Sequence, residues 1–256
     1  MMRCAALRPR WRKPATASTY LTCCMSVHAS IKPLEWESAF FGRRCALLEL
    51  KGDSVLDAAR LNDWDLVQVK VMAQQSAELD ALSALGFRLV EGEADCVLGI
   101  AAVERPAGIR IARVEHIPQL RHAAAELFTY SRFRSPWFAV GDSGRFYAQW
   151  IENAVRGTFD HQCLLAVDEK GAMQGFVSLR ELPDGTGRIG LLAVLPESQG
   201  LGIGQRLMNA ANDWCRARRL TRLHVATQLG NLSALRLYLR CGGVIERTAY
   251  WLYREI

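Results

Sequence analysis

Apolar residues fall at every second position in residues 66–73, where Val67, Val69 and Val71 share one face. They then switch to helical spacing, with Leu79, Leu82 and Leu85 on one side of residues 77–85. A period of two predicts a half-buried strand, and a period near 3.6 predicts an amphipathic helix. Gly86 stops that helix, and residues 87–100 return to strand character. A short apolar run at 43–50 is a further strand. Pro106 and Gly108 break both periods, so 103–108 is read as the linker between a unit at 25–105 and a second at 109–256.

The second unit opens with a strand at 109–114 and a helix at 115–128 that carries Pro118 in its first turn. An aromatic, arginine-rich loop spans 130–138. In the helix at 143–156, Phe146, Trp150, Ile151 and Ala154 lie on one face. Strands follow at 163–167, 174–182 and 188–194. A glycine-rich loop then leads into a helix with Leu207, Met208, Ala211 and Trp214 at helical spacing. A strand at 222–228, a helix at 232–240 capped by Asn231, and a strand at 244–253 complete the chain. The order strand, helix, glycine, strand thus occurs in both units, which reads either as a weak internal duplication or as two instances of a common supersecondary unit. The first copy lacks the glycine loop and is expected to bind no cofactor. Fold class is α/β (α+β).

Composition changes this picture only at the N-terminus. The net charge is +6; Arg3, Arg8, Arg10, Arg12 and Lys13 supply five of those charges before residue 25, and the first acidic residue is Glu35. The remainder is nearly neutral, with no basic patch of the kind that binds nucleic acid. Residues 1–24 have no foldable period and are expected to be an unstructured extension or a misassigned start, dispensable for folding and activity; loss of soluble active protein on their removal would refute this. No apolar run is long enough to insert in a membrane. The eight cysteines form no C-x-x-C pair and have no histidine at ligand spacing, so no metal site is expected. They fit a reducing, cytoplasmic setting.

Candidate chemistry centres on "PESQGLGIGQRL", residues 196–207. Glycine lets a backbone approach a ligand without a Cβ, and free N–H groups at a helix N-terminus attract phosphate. A dinucleotide fold would place such glycines after its first strand, and a P-loop would need Gly-Lys followed by Ser or Thr. Neither fits.

The late position and "QGLGIG" resemble the GNAT superfamily of acyl-CoA N-acyltransferases, whose pyrophosphate motif Gln199, Gly202 and Gly204 match. The resemblance implies that acetyl-CoA binds Gln199, Gly200, Leu201, Gly202, Ile203, Gly204 and Gln205. It implies a bulge in the preceding strand, around Leu192, Ala193 and Val194, whose amide holds the thioester oxygen. It gives Tyr238 the role of general acid toward the departing thiolate. Asn231 caps the last helix and, by the resemblance, also meets the cofactor's pantetheine arm.

The segments 29–42, 131–137, 143–163, 177–182 and 249–254 resemble one branch of that superfamily, the N-acetyltransferases of nucleotide-linked amino sugars. That branch implies a nucleotide-sugar substrate and a homodimer. On this reading Arg132 and Arg134 meet a diphosphate and Trp137 stacks on the base; Phe138 or Tyr147 would serve equally for stacking. The arginines could instead pair with acids such as Asp160 or Glu152. Glu181, Asp160 and His161 are candidates for the base, and spacing does not choose among them. Two rival readings stand beside this one: acetylation of a peptide or other small-molecule amine, and a non-catalytic acetyl-CoA-binding module.

Overall fold

The computed structural model describes residues 27–51, 55–102, 104 and 106–256. The expectation for residues 1–24 and part of the 103–108 linker fall outside them. Ten strands form one mixed sheet. In chain order the elements are β1 (Ser30–Pro33), α1 (Glu35–Phe41), β2 (Cys45–Glu49), β3 (Leu66–Met72), α2 (Ser76–Ala84), β4 (Arg88–Gly99) and β5 (Ile109–Ile111). Next come α3 (Ile117–Leu127), α4 (Asp142–Arg156), β6 (Gln162–Val167), β7 (Met173–Glu181), β8 (Gly187–Val194), α5 (Ile203–Ala217), β9 (Arg222–Gln228), α6 (Leu232–Arg240) and β10 (Val244–Glu255). The sheet order is β1-β2-β3-β10-β4-β9-β8-β7-β6-β5.

Neighbouring residues of β6 and β7 separate into two cores, as a period of two requires. Leu165 and Phe176 pack with Ile151, Ala154 and Leu120 of α3 and α4. Leu164 and Val177 pack with Leu207, Met208, Ala211 and Trp214 of α5. A third core joins Val67, Val69, Val71 and Leu82, with Leu79 and Leu85 against it, under α2. The apolar faces expected for these elements are therefore the buried ones. β1 and α1 were not expected; α1 brings Trp36, Phe40 and Phe41 against Phe146 and Phe133.

The two units are not two sheets. β4 leaves the first unit to pair with β9 of the second, and β10 returns to pair with β3 of the first. One shift of 156 residues carries Leu66 onto Arg222, Ser76 onto Leu232, Gly86 onto Gly242 and Arg88 onto Val244. Both glycines are left-handed, at φ +88° and +86°. The registers repeat as well: Val69 faces Leu252 as Val225 faces Cys96, and Val97 faces Val244 as Arg88 faces Tyr253. The β4–β10 seam is thus a pseudo-two-fold centred on Glu93 and Ala249, which face each other. The two strand-helix-strand units are related by this pseudo-two-fold, with the last strand of each paired into the other unit.

Candidate active site

β8 and β9 run parallel but pair only where Gly187, Arg188 and Ile189 face Leu223, His224 and Val225. Beyond that point they splay. On its other side β8 stays bound to β7, with a register shift that falls at Gly190 and Leu191, just before the expected Leu192–Val194 stretch. The Leu195 N–H donates to the Gln174 carbonyl at 2.9 Å. N–H direction alternates along a strand, so Ala193 also faces β7, while the Leu192 and Val194 N–H groups face the gap left by β9. Of the three residues expected at the bulge, two aim donors into the opening; Ala193 does not, and its side chain belongs to the α3/α4 core.

The splay opens into a cleft of about 1130 Å³, lined by residues from β8, β9, the glycine loop, α6 and the loop after α3. At one end α5 begins. Its N-cap Gly202 and nearby Gly200 both lie at φ +77°, where a side chain is strained, and a Cβ on either would meet open space. The first turn of α5 has no acidic residue and no side-chain cap. Its N-terminal amides and dipole are therefore available to an anion such as the cofactor's pyrophosphate. Gln199, Gly200, Gly202, Ile203, Gly204 and Gln205 line the cleft, whereas Leu201 points to solvent. Gly204 is glycine for another reason: a Cβ there would stand 3.0 Å from Leu237 Cδ2, so it lets α6 close on α5.

α6 supplies Asn231 and Tyr238 to the same cleft. Asn231 Oδ1 accepts from the Ala234 N–H at 3.2 Å, the N-cap bond expected, worth about 1 kcal/mol. Tyr238 is 5% exposed. Burial pushes its phenol well above the usual range, so it stays protonated at neutral pH. Its hydroxyl takes no hydrogen-bond partner among the described protein groups.

The other expected substrate contacts are redistributed. Arg132 reaches the cleft, but its guanidinium lies between the rings of Phe133 and Trp251, at 4.2 and 4.1 Å. It also bonds Gln68 and Tyr253, with Glu37 at 3.7 Å. These contacts tie it to β3, β10 and α1 while its side chain stays 21% exposed at the cleft. Arg134 turns away and donates to the carbonyls of Val90 and Ser135. Trp137 is buried outside the cleft, edge-on to Tyr253 and under Arg88. Phe138 is buried in the core, whereas Tyr147 lines the cleft. Glu181 and His161 are exposed and bond each other through the Glu181 N–H and His161 Nδ1. Asp160 is fully buried and does not line the cleft.

Charges that sequence reasoning missed line the cleft instead. Lys70 bonds Glu93 and lies 3.1 Å from Asp95, and Glu93 Oε2 accepts from the Trp251 indole at 2.9 Å. Glu91 is held by its neighbour's N–H, and burial raises its carboxyl above the usual range. Arg180 and Arg188 face each other across β7 and β8, and both line the cleft. Directly opposed like charges are unfavourable in a sheet; acids lie only at 3.9 Å (Asp160) and 3.5 Å (Asp95).

Among the described residues no helix is long and apolar enough to cross a membrane, and no group of three His, Cys, Asp or Glu could hold a metal ion. The profile of the Acetyltransferase (GNAT) family matches residues 119–243. The dTDP-fucosamine acetyltransferase of Escherichia coli O6:H1 is 51% identical over 231 residues, covering 90% of this chain and 100% of that protein. A GCN5-related N-acetyltransferase from Sphaerobacter thermophilus shares 18% identity at a TM-score of 0.58, over 89% of this chain and 76% of its own. A tandem GNAT protein from the clavulanic acid biosynthesis pathway shares 17% at 0.54, over 82% and 75%. At those identities the two structures speak to fold alone. The high identity to a full-length acetyltransferase, joined to the splayed strands and the glycine loop, shows that this chain belongs to the GNAT family of acetyltransferases.

Proposed function

We propose that this chain transfers the acetyl group of acetyl-CoA to the 4-amine of dTDP-4-amino-4,6-dideoxygalactose, the dTDP-fucosamine of its relative, in enterobacterial common antigen synthesis. The observation that carries this reading is one cleft joining an uncapped helix N-terminus, two free strand amides and a buried tyrosine, in a chain half identical to that relative. The α5 amides hold the pyrophosphate of acetyl-CoA. The Leu192 N–H holds the thioester oxygen as it gains charge, and Tyr238 gives its proton to the leaving thiolate. Following the same resemblance, the enzyme works in the cytoplasm as a homodimer.

Glu91 is the best placed proton acceptor. Its raised pKa suits it to take a proton from an ammonium, whereas Glu93 is tied to Lys70 and Trp251. A raised carboxyl is still protonated at a pH where an ordinary one is not. The acid limb of kcat therefore lies above the ordinary carboxylate range, and Glu91→Gln removes that limb and lowers kcat about 10²-fold. An unchanged pH profile in that variant excludes Glu91.

Arg180 and Arg188, rather than Arg132 and Arg134, take the sugar diphosphate, which relieves their mutual repulsion. Arg188→Ala accordingly raises KM for the sugar nucleotide and leaves KM for acetyl-CoA in place; the reverse pattern would move the diphosphate elsewhere. The function itself is tested by mass. Incubation of dTDP-4-amino-4,6-dideoxygalactose with acetyl-CoA and the protein should add one acetyl group. No gain, with acetyl-CoA bound, overturns the acceptor and keeps the cofactor.

A further inference from the structure

The register shift in β8 has an identifiable cause. Leu191 is directed at β7 like Ala193 and Leu195, yet its N–H donates to the Ser178 hydroxyl at 2.9 Å, a side-chain atom in place of a strand carbonyl. The same hydroxyl donates to Asp160 Oδ2 at 2.5 Å. Asp160 is fully buried and also accepts from the Trp150 indole at 2.9 Å, and Trp150 lines the cleft. Asp160 Oδ1 has no hydrogen-bond partner, and the nearest cation, Arg180, is 3.9 Å away. A buried carboxylate held this loosely is costly to the fold. Gly190, the residue at the shift, completes the arrangement: a methyl group there would collide with the Asp160 carboxylate and stand 2.8 Å from Ser178 Oγ.

We infer that Asp160, Ser178 and Gly190 form a positioning relay that sets the direction of the Leu192 N–H. The inference rests on the acetyl-transfer reading above. With its one donor hydrogen committed to Asp160, the Ser178 oxygen is left to accept, and the acceptor it offers draws the Leu191 N–H out of the ladder. That extra residue inverts the alternation of β8. Ile189 packs against α5 before the shift, whereas Leu191 and Ala193 pack against α3 and α4 after it. Without the shift, residues 191 and 193 would present their amides where Leu192 and Val194 now do, in a different orientation to the thioester. None of the three relay residues need touch the reacting atoms.

Acetyl-CoA labelled with 13C at the acetyl carbonyl, bound to the whole protein, gives a carbonyl stretch that reports this hydrogen bond directly. In the wild type the stretch lies lower than in free acetyl-CoA. In Ser178→Ala it returns toward the free value, kcat falls about 10- to 100-fold, and KM for acetyl-CoA changes less than about threefold, since a misaimed donor costs less than an absent one. Asp160→Asn keeps an acceptor oxygen for Ser178 and Trp150 and retains the shift. Should Ser178→Ala not fold, Ser178→Cys keeps the volume with a weak sulfur acceptor and gives the same loss. A shift retained in the folded Ser178 variant overturns the relay. No shift in the wild type overturns the amide's role itself, and so the reading beneath.

Discussion

Replacement of Tyr238 by phenylalanine should lower kcat about 10²-fold, the lower end of the range for a lost proton donor, with thermal stability unchanged or slightly raised. The two halves of this expectation have one physical source. The ring is buried among Ile203, Leu207 and Val225, and Phe keeps that contact area. The hydroxyl makes no protein hydrogen bond, so its removal leaves no group newly unpaired. Its oxygen opens on the cleft and is not among the buried unpaired groups, so its deletion is close to neutral. The group thus does little for the fold while lying in the cleft that the splayed strands open. Its raised pKa keeps the proton on the oxygen at neutral pH, so a donor is in place when the thiolate forms beside it. Acetyl-CoA affinity should be little changed, because α5 and β8 supply the binding amides. Steady-state kinetics with calorimetric titration of acetyl-CoA separate these effects. An unchanged kcat removes Tyr238 from the mechanism, and a parallel loss of stability makes it a core residue instead.

The Asn231 cap and the left-handed turn at Gly202 were legible because each belongs to a short contiguous pattern that fixes its own surroundings, whereas Tyr238 was singled out by the family resemblance alone. Asn231 caps the helix that begins beside it, and Gly202 is left-handed because α5 starts there. The acceptor side was not legible, for reasons visible residue by residue. The sequence left Arg132 open between a phosphate and an acid such as Asp160 or Glu152, whereas its partners Gln68, Tyr253 and Glu37 come from β3, β10 and α1. Arg180 and Arg188 face one another only through the β7–β8 register that holds before the shift in β8. That shift depends on two side chains, Ser178 and Asp160, and no backbone period records it. β1 and α1 are too short, at 4 and 7 residues, to show a period at all. The boundary at 103–108 illustrates a different limit. Breaks in period locate where the chain turns, but exchanged and unexchanged last strands satisfy the same alternation, so the pattern does not say which neighbour a strand will choose.

That exchange makes the second unit dependent on the first, and residues 109–256 expressed alone should show no detectable acetyl transfer. β10 has two neighbours, β3 and β4, and both come from before residue 100. The sheet edge of β9 is covered by β4 as well. Removing the first unit therefore exposes both edges of β10 and one of β9, each a template for aggregation. It also uncovers Trp251, Leu252 and Tyr253, of which the last two are almost fully buried in the whole protein. β10 could escape this only by moving beside β9, the place that β4 holds in the whole protein. Even then the cleft would lack Lys70, Glu91 and Glu93, which line it from β3 and β4. Co-expression with residues 25–105 should restore soluble, active protein, since the missing strands need only pair and not be covalently joined. Activity of the purified fragment, alone and with its complement, measures this directly. A fragment 109–256 that folds as a monomer and acetylates at a tenth of the full rate or more would show that the exchanged strands only decorate the catalytic unit. Complete loss, recovered by the separate first unit, would place the active site on the seam between the two units.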